Sequence, residues 1–280
     1  MIELIKIEWI KTFGKMRTYI SFAAIFVLIA LIFTGLKVDG GQFITHSTAF
    51  RGLRQSFFIV GDLLNGYFIS HLVMFFTMVH IPFLIVLVAG DQIAGEASGG
   101  TLRILLTRPP SRLKILTAKA VVSLIYSALL ILTLGILSLG VGSILFGTGN
   151  LLIADKGILI LTGEQALQRF AIAYPLAILS MCVVTALAFL LSVLVENAIG
   201  PIIGTMAIII ISVIISETPI SLFEKIKPFL FTTYSTVWQK AFYNPIPVAD
   251  IMRSSSYLCV FMLVFFAIAF FIFNRKDILS

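Results

Sequence analysis

Six long apolar runs, none containing an Asp, Glu, Lys or Arg, constrain this chain more than any other feature: Tyr19–Leu36, Tyr67–Ala89, Ala120–Phe146, Phe170–Val195, Ala198–Ser216 and Ser254–Phe273. A helix needs about 20 apolar residues to cross a bilayer, and a charge at mid-bilayer costs several kcal/mol. All 20 Lys and Arg and all 13 Asp and Glu fall between the runs, where such a layout requires them. The runs are continuous rather than alternating, so helices are expected and not a barrel. The predicted fold is an all-α integral membrane protein of six transmembrane helices, forming one domain over 1–280.

Composition supports this. Charged residues make up 12% of the chain and hydrophobic ones 59%, against about 25% charged in soluble domains. No polar stretch between the runs is long enough to bury a core of its own. The net charge of +7 sits in short segments beside the runs. Anionic lipid headgroups are therefore the expected partner, and nucleic acid is not. Cys182 and Cys259 lie inside apolar runs and make no disulfide framework. Glu3 and Glu8 precede the first run and no small-residue cleavage site follows it, so a cleaved signal peptide is not expected.

Basic residues also orient the spans. With the N-terminus inside, segments 1–18, 90–119, 196–197 and 274–280 are cytoplasmic and carry 11 of the 20 Lys and Arg in the shorter share of the loops. An inner (plasma) membrane location follows, with both termini cytoplasmic. Within 1–17, Ile2, Ile5, Trp9, Phe13 and Met16 recur at helical spacing while Glu3, Lys6, Lys11 and Lys15 face elsewhere. That pattern predicts an interfacial helix anchored by Trp9, or a cytoplasmic extension of the first span.

The longest cytoplasmic segment, 90–119, is the most informative. Ile93 to Leu106 fits a short amphipathic helix with Ala97, Thr101, Ile104 and Leu105 on one face and Arg103 opposite. Pro109 and Pro110 end it, and Ser111 can cap the helix that enters the third span. A short rod between two spans can dock in a groove of a soluble partner and pass its movement to the membrane.

Asp91, Ile93, Glu96, Gly100, Thr101, Leu102, Leu105, Leu106, Pro109, Ser111, Arg112, Ile115, Leu116 and Lys119 stand here in an ordered pattern. That pattern resembles the loop joining spans two and three in type-2 ABC permeases, including relatives that serve nitrous oxide reductase maturation. The resemblance implies a coupling helix whose partner is a separate ABC ATPase, present in two copies. Asp91, Glu96, Gly100, Thr101, Leu102, Leu105, Leu106, Pro109, Ser111, Arg112 and Lys119 would be the coupling residues. It further implies a second permease chain, and ATP and Mg bound by the partner and not by this chain. Members of that family mostly export. Ala97-Ser98-Gly99 departs from its more charged turn.

Other features carry weaker expectations. Gly200 and Gly204, four apart, offer close packing across a dimer. Phe231, Tyr234, Trp238 and Phe242 recur at helical spacing in 217–253, which four prolines interrupt. Re-entrant or interfacial helices are expected there, which by the resemblance would form an outer gate, or else a plain aromatic belt. His71 and His80 lie nine residues apart, on opposite sides of one helix. His71, Met74 and Met78 share a face and are soft enough for copper(I), but Met is also ordinary apolar filler, and no metal is expected. No Gly-rich phosphate loop and no catalytic constellation occur. The expected function is the permease subunit of an ATP-driven exporter. An ion-driven secondary transporter or a membrane assembly scaffold is the alternative.

Overall fold

The computed structural model describes residues 1–46, 64–101, 111–154 and 158–276. Each apolar run forms helix, because a backbone in lipid must satisfy its own N–H and C=O groups. A short helix α1 (Ile2–Phe13) precedes α2 (Met16–His46), which kinks at Asp39. The second run gives two helices, α3 (Gly66–Met78) and α4 (Ile81–Ala89), bent by 50° at their junction. Next comes α5 (Asp91–Ser98). The third run is α6 (Arg112–Gly135), continued by a π-helical stretch (Ile136–Val141) and a last turn (Gly142–Phe146). Then follow α7 (Gly163–Leu194), α8 (Gly200–Glu217) and α9 (Val248–Arg275). Among the described residues five helices are long and apolar enough to cross a membrane, and the bent pair makes a sixth if it counts as one span. The chain is a multi-pass membrane protein.

α7 is the central element. In its most apolar window 72% of residues are buried, against 28% in α2 and α8 and 17% in α9. It packs on α4, α6, α8 and α9. The peripheral helices present apolar side chains outward, among them Phe26, Leu31, Ile203, Leu263 and Phe271. Such a surface suits lipid tails and not water.

Both ends of the described chain meet at one face, called here the terminal face. The opposite, far face holds a departure from the all-α expectation. Leu151–Ala154 (β1) and Ile158–Leu161 (β2) pair antiparallel, Leu151 opposite Leu161. Two short apolar runs around Asp155-Lys156-Gly157 are a hairpin signal, and Leu151, Leu152 and Leu161 are buried. Beside the hairpin, Asn65 caps α3 by accepting from the Tyr67 and Phe68 amides, and its own amide donates to the Asn150 carbonyl at 2.7 Å. The π-helical stretch in α6 turns a carbonyl sideways: Ser70 on α3 donates to Ser138 O at 2.7 Å. The two helices meet there through glycine, since a Cβ on Gly66 would lie 2.6 Å from the Ser143 backbone.

Candidate functional site: a charged junction at the terminal face

α5 follows α4 almost without interruption, and the protein supplies the partners that its first turn lacks. The Ile93 and Ala94 amides, two of the donors a helix start leaves unsatisfied, donate to Ser192 Oγ of α7 at 3.0 and 2.9 Å. Ile93 itself packs with Leu116, Phe189, Val193 and Phe273. Gly95 is needed because a side chain there would collide with the Asp91 carboxylate. The helix ends at Ser98, and Gly100 adopts φ +69°, which only glycine takes at low cost. Of the expected helix from Ile93 to Leu106, the first part belongs to α5, which starts earlier, at Asp91, and breaks at Gly99-Gly100; helix resumes at Thr101, and 102–106 lie outside the described residues.

Charges lock this helix to α1, α2 and α6. Asp91 accepts from Lys15 Nζ at 2.8 Å and from Arg17 at 2.6 Å. Glu96 Oε1 pairs with Lys119 at 2.9 Å and with Lys11 at 3.1 Å. Glu8 closes a ring, with Oε2 2.7 Å from Lys119 and Oε1 3.0 Å from Lys11. Gln92 adds a hydrogen bond to Thr12 Oγ1 at 3.1 Å. Lys119 is only 1% exposed and Glu8 4%, so each charge depends on its partners for compensation. Burial pushes the Glu96 carboxyl up, but the charges and hydrogen bonds of Lys119 and Lys11 outweigh it and hold the group below its ordinary value. Desolvation lowers the Lys11 ammonium, yet Glu8 and Glu96 raise it further than burial lowers it. Glu96 Oε2 is buried without a partner.

The far end of the same segment is also anchored. Ser111 occupies the N-cap position of α6 in extended conformation, without a side-chain cap bond. Arg112 donates to the Lys276 carbonyl at 3.0 Å, and the Lys276 ammonium reaches Glu196 and the Val193 carbonyl, each at 3.3 Å.

The site residues read from sequence therefore divide. Asp91, Glu96 and Lys119 converge in the ion cluster, and Arg112 ties α6 to the C-terminal end of α9. Gly100 and Thr101 stay exposed, with Thr101 Oγ1 3.3 Å from the Glu96 carbonyl. Leu102, Leu105, Leu106 and Pro109 lie outside the described residues. Sequence reasoning missed Glu8 and Ser192 as members. Leu4, Glu8 and Thr12 recur at helical spacing on α1, and the exposed Ile2, Ile7 and Ile10 leave that polar side as the one turned inward. Read in those terms, the sequence carried a signal for Glu8.

Elsewhere, the Gly200 and Gly204 face is occupied within the chain. A Cβ on Gly200 would sit 2.7 Å from Val195, and one on Gly204 3.3 Å from Leu191. Within this chain both glycines lie close to side chains at the C-terminal end of α7. At the far face the expected re-entrant helices are short turns, of which the longest, Val237–Phe242, has 6 residues. Phe231, Trp238 and Phe242 are buried and Tyr234 half-buried. Phe242 stacks on His71 at 4.6 Å and meets Phe170 edge-on at 5.2 Å, while Tyr234 lies 4.7 Å from Tyr257. Arg169 donates to the Ala241 and Tyr243 carbonyls at 3.2 and 2.9 Å, holding this cap to α7. Met74 and Met78 are buried core residues. No group of three or more His, Cys, Asp or Glu among the described residues could hold a metal ion.

The fold and its charged junction define a helical multi-pass membrane protein whose terminal face is held by ion pairs. Residues 27–279 match the family described as proteins of unknown function, DUF2705, and the chain belongs to that family. It is 26% identical over 207 residues to the uncharacterized protein YhcI of Bacillus subtilis (strain 168), a match covering 72% of this chain and 66% of YhcI, slightly under two thirds of that relative.

Proposed function

We propose that this chain is the transmembrane permease subunit of an ATP-driven ABC exporter in the plasma membrane. Six spans cross the bilayer and the terminal face is cytoplasmic. Two ABC ATPase subunits bind beneath a pair of permease chains and supply ATP and Mg; this chain binds neither. The observation that carries the reading is the segment 90–119. It bears the ordered pattern of the type-2 permease coupling loop, and both of its ends are anchored to spans, by Asp91, Glu96 and Ser192 at one end and Arg112 at the other.

A lever transmits force only if its supports are stiff. Asp91, Glu96 and Lys119 face inward, so they act as positioning residues. Contact with the ATPase falls to the exposed Gly100 and Thr101 and to Leu102, Leu105, Leu106 and Pro109. ATP-driven closure of the ATPases pushes α5, and the load passes through the ion cluster to α1, α2 and α6 and through Ser192 to the central helix. Phe231, Tyr234, Trp238 and Phe242 close the outer end. Purified from its native membrane, the tagged chain should carry an ABC ATPase and show ATP hydrolysis. Changing Leu105 and Leu106 together to Asp should abolish that co-purification; a complex that survives the double change contradicts the coupling assignment.

A further inference from the structure

The break in the bent pair α3–α4 leaves the His80 imidazole near the middle of that apolar stretch. α3 has 13 residues and α4 has 9, so at 1.5 Å per residue the junction lies about 20 Å from one end and about 13 Å from the other. Pro82 opens α4 without an N–H to offer the preceding helix, which accounts for the break. His80 sits in this junction and is exposed. Phe75 and Phe76 (each 50% exposed), Val79 (67%) and Phe83 (44%) continue the same outward stripe. No other His, Lys, Arg, Asp or Glu among the described residues is exposed at such depth; those of the remaining spans lie toward the helix ends. A polar side chain facing hydrocarbon is expensive and marks function, and broken spans favour binding near the midplane.

The chemistry of the occupant follows from one hydrogen bond. His80 Nδ1 lies 2.9 Å from the Phe76 carbonyl. A carbonyl only accepts, so Nδ1 is the donor, and in the tautomer protonated there Nε2 holds a lone pair. The stripe thus offers one acceptor flanked by aromatic rings, and no Lys or Arg. Thr77 Oγ1, buried in the preceding turn, has no partner either. Lipid tails give Nε2 nothing to bind.

We propose that this stripe is a binding station for apolar molecules bearing a protonated amine. An N–H of the ligand donates to His80 Nε2 while its positive charge rests against the faces of Phe76 and Phe83. As recognition of cargo, the station rests on the permease reading above; as a binding site it does not need the ATPase.

The test is equilibrium binding of tritiated dodecylamine to the full chain in zwitterionic nanodiscs, with empty nanodiscs subtracted. Saturable binding is expected. It should weaken about tenfold in His80→Leu and stay near wild type in His80→Gln, which keeps an acceptor. Phe76→Leu should weaken it about threefold. Dodecyltrimethylammonium, which has no N–H, should compete about tenfold less well than unlabelled dodecylamine, and dodecanesulfonate should not compete. The competitor comparison uses the wild-type chain, so it decides even if a variant fails to fold. Absence of saturable binding, equal binding by His80→Leu, or preferential competition by the sulfonate overturns the proposal. Loss of binding with an intact ATPase complex sinks this inference alone. Intact binding with no ATPase partner sinks the permease reading alone.

Discussion

At the terminal face the spans are joined by charges; at the far face they are joined by rings. Glu8, Lys11, Glu96 and Lys119 form a closed ring of ion pairs between α1, α5 and α6, with no contact longer than 3.1 Å. Phe242 packs with His71 and Phe170, and Phe231 packs with Phe261, at centroid distances of 4.6 to 6.5 Å. The difference has mechanical meaning. Apolar contacts are numerous and individually weak, so a ring can slide to a neighbouring position at small cost. A buried ion pair has no comparable second position, and separating it strands a charge. The charged end suits a part that must pass on a push without yielding, and the aromatic end suits a part that repacks.

The comparison breaks most readily at Lys119. Lys119→Met leaves Glu8 and Glu96 sharing Lys11 alone and should cost about 3–5 kcal/mol. It should give the largest fall in thermal midpoint, followed by Trp fluorescence in detergent. A midpoint unchanged from wild type contradicts the claim that the ring carries stability.

Acid should loosen the same junction by a smaller amount. The Glu96 carboxyl titrates below its ordinary value of 4.5. Its contribution is therefore present above that value and lost as pH falls through the lower folded value. Lys11 titrates above its ordinary 10.5, so its contribution is complete below 10.5 and lost as pH rises further. The tether of α1 to α5 should hold between these limits. A nitroxide at the exposed Ile10 should become progressively more mobile as pH is lowered beyond 4.5; unchanged mobility throughout an acid titration would show that α1 is held by packing alone.

The far face should respond least. Arg169→Leu removes two hydrogen bonds to the Ala241 and Tyr243 carbonyls from a half-exposed side chain. The expected cost is about 1 kcal/mol, seen as a small drop in the same thermal midpoint and faster amide exchange over 237–243. A loss equal to that of Lys119→Met would erase the contrast between the two ends.

Much of the architecture was legible because the bilayer is a strict solvent. Runs long enough to span it and free of charge could be read residue by residue, and five helices and one bent helix pair cover nearly all of them. The broken second span also had its signal, Pro82. The pairing of β1 with β2 was overlooked although two short apolar runs flank Asp155-Lys156-Gly157 in the sequence, since an expectation of helices left no place for it. The candidate site was half legible. Asp91, Glu96 and Lys119 stood in a recognisable pattern, but pattern says nothing about which way a charge faces. Their partners on α1 and just beyond it lie 76 to 111 residues away in the chain.

Sequence alone determined what lies in lipid and what does not, because the cost of burying charge in hydrocarbon depends on residue type and run length, both of which are local. Tertiary structure decided how the charges outside the lipid are spent. Whether a carboxylate meets water, a partner or a buried lysine depends on distances between helices remote in the chain, and ion pairing falls off steeply with distance. The same holds for Gly200 and Gly204, whose missing side chains are answered by Val195 and Leu191 of this chain. It holds for His71 and His80 too: helical periodicity set them on opposite sides, and only packing placed one against Phe242 and left the other exposed.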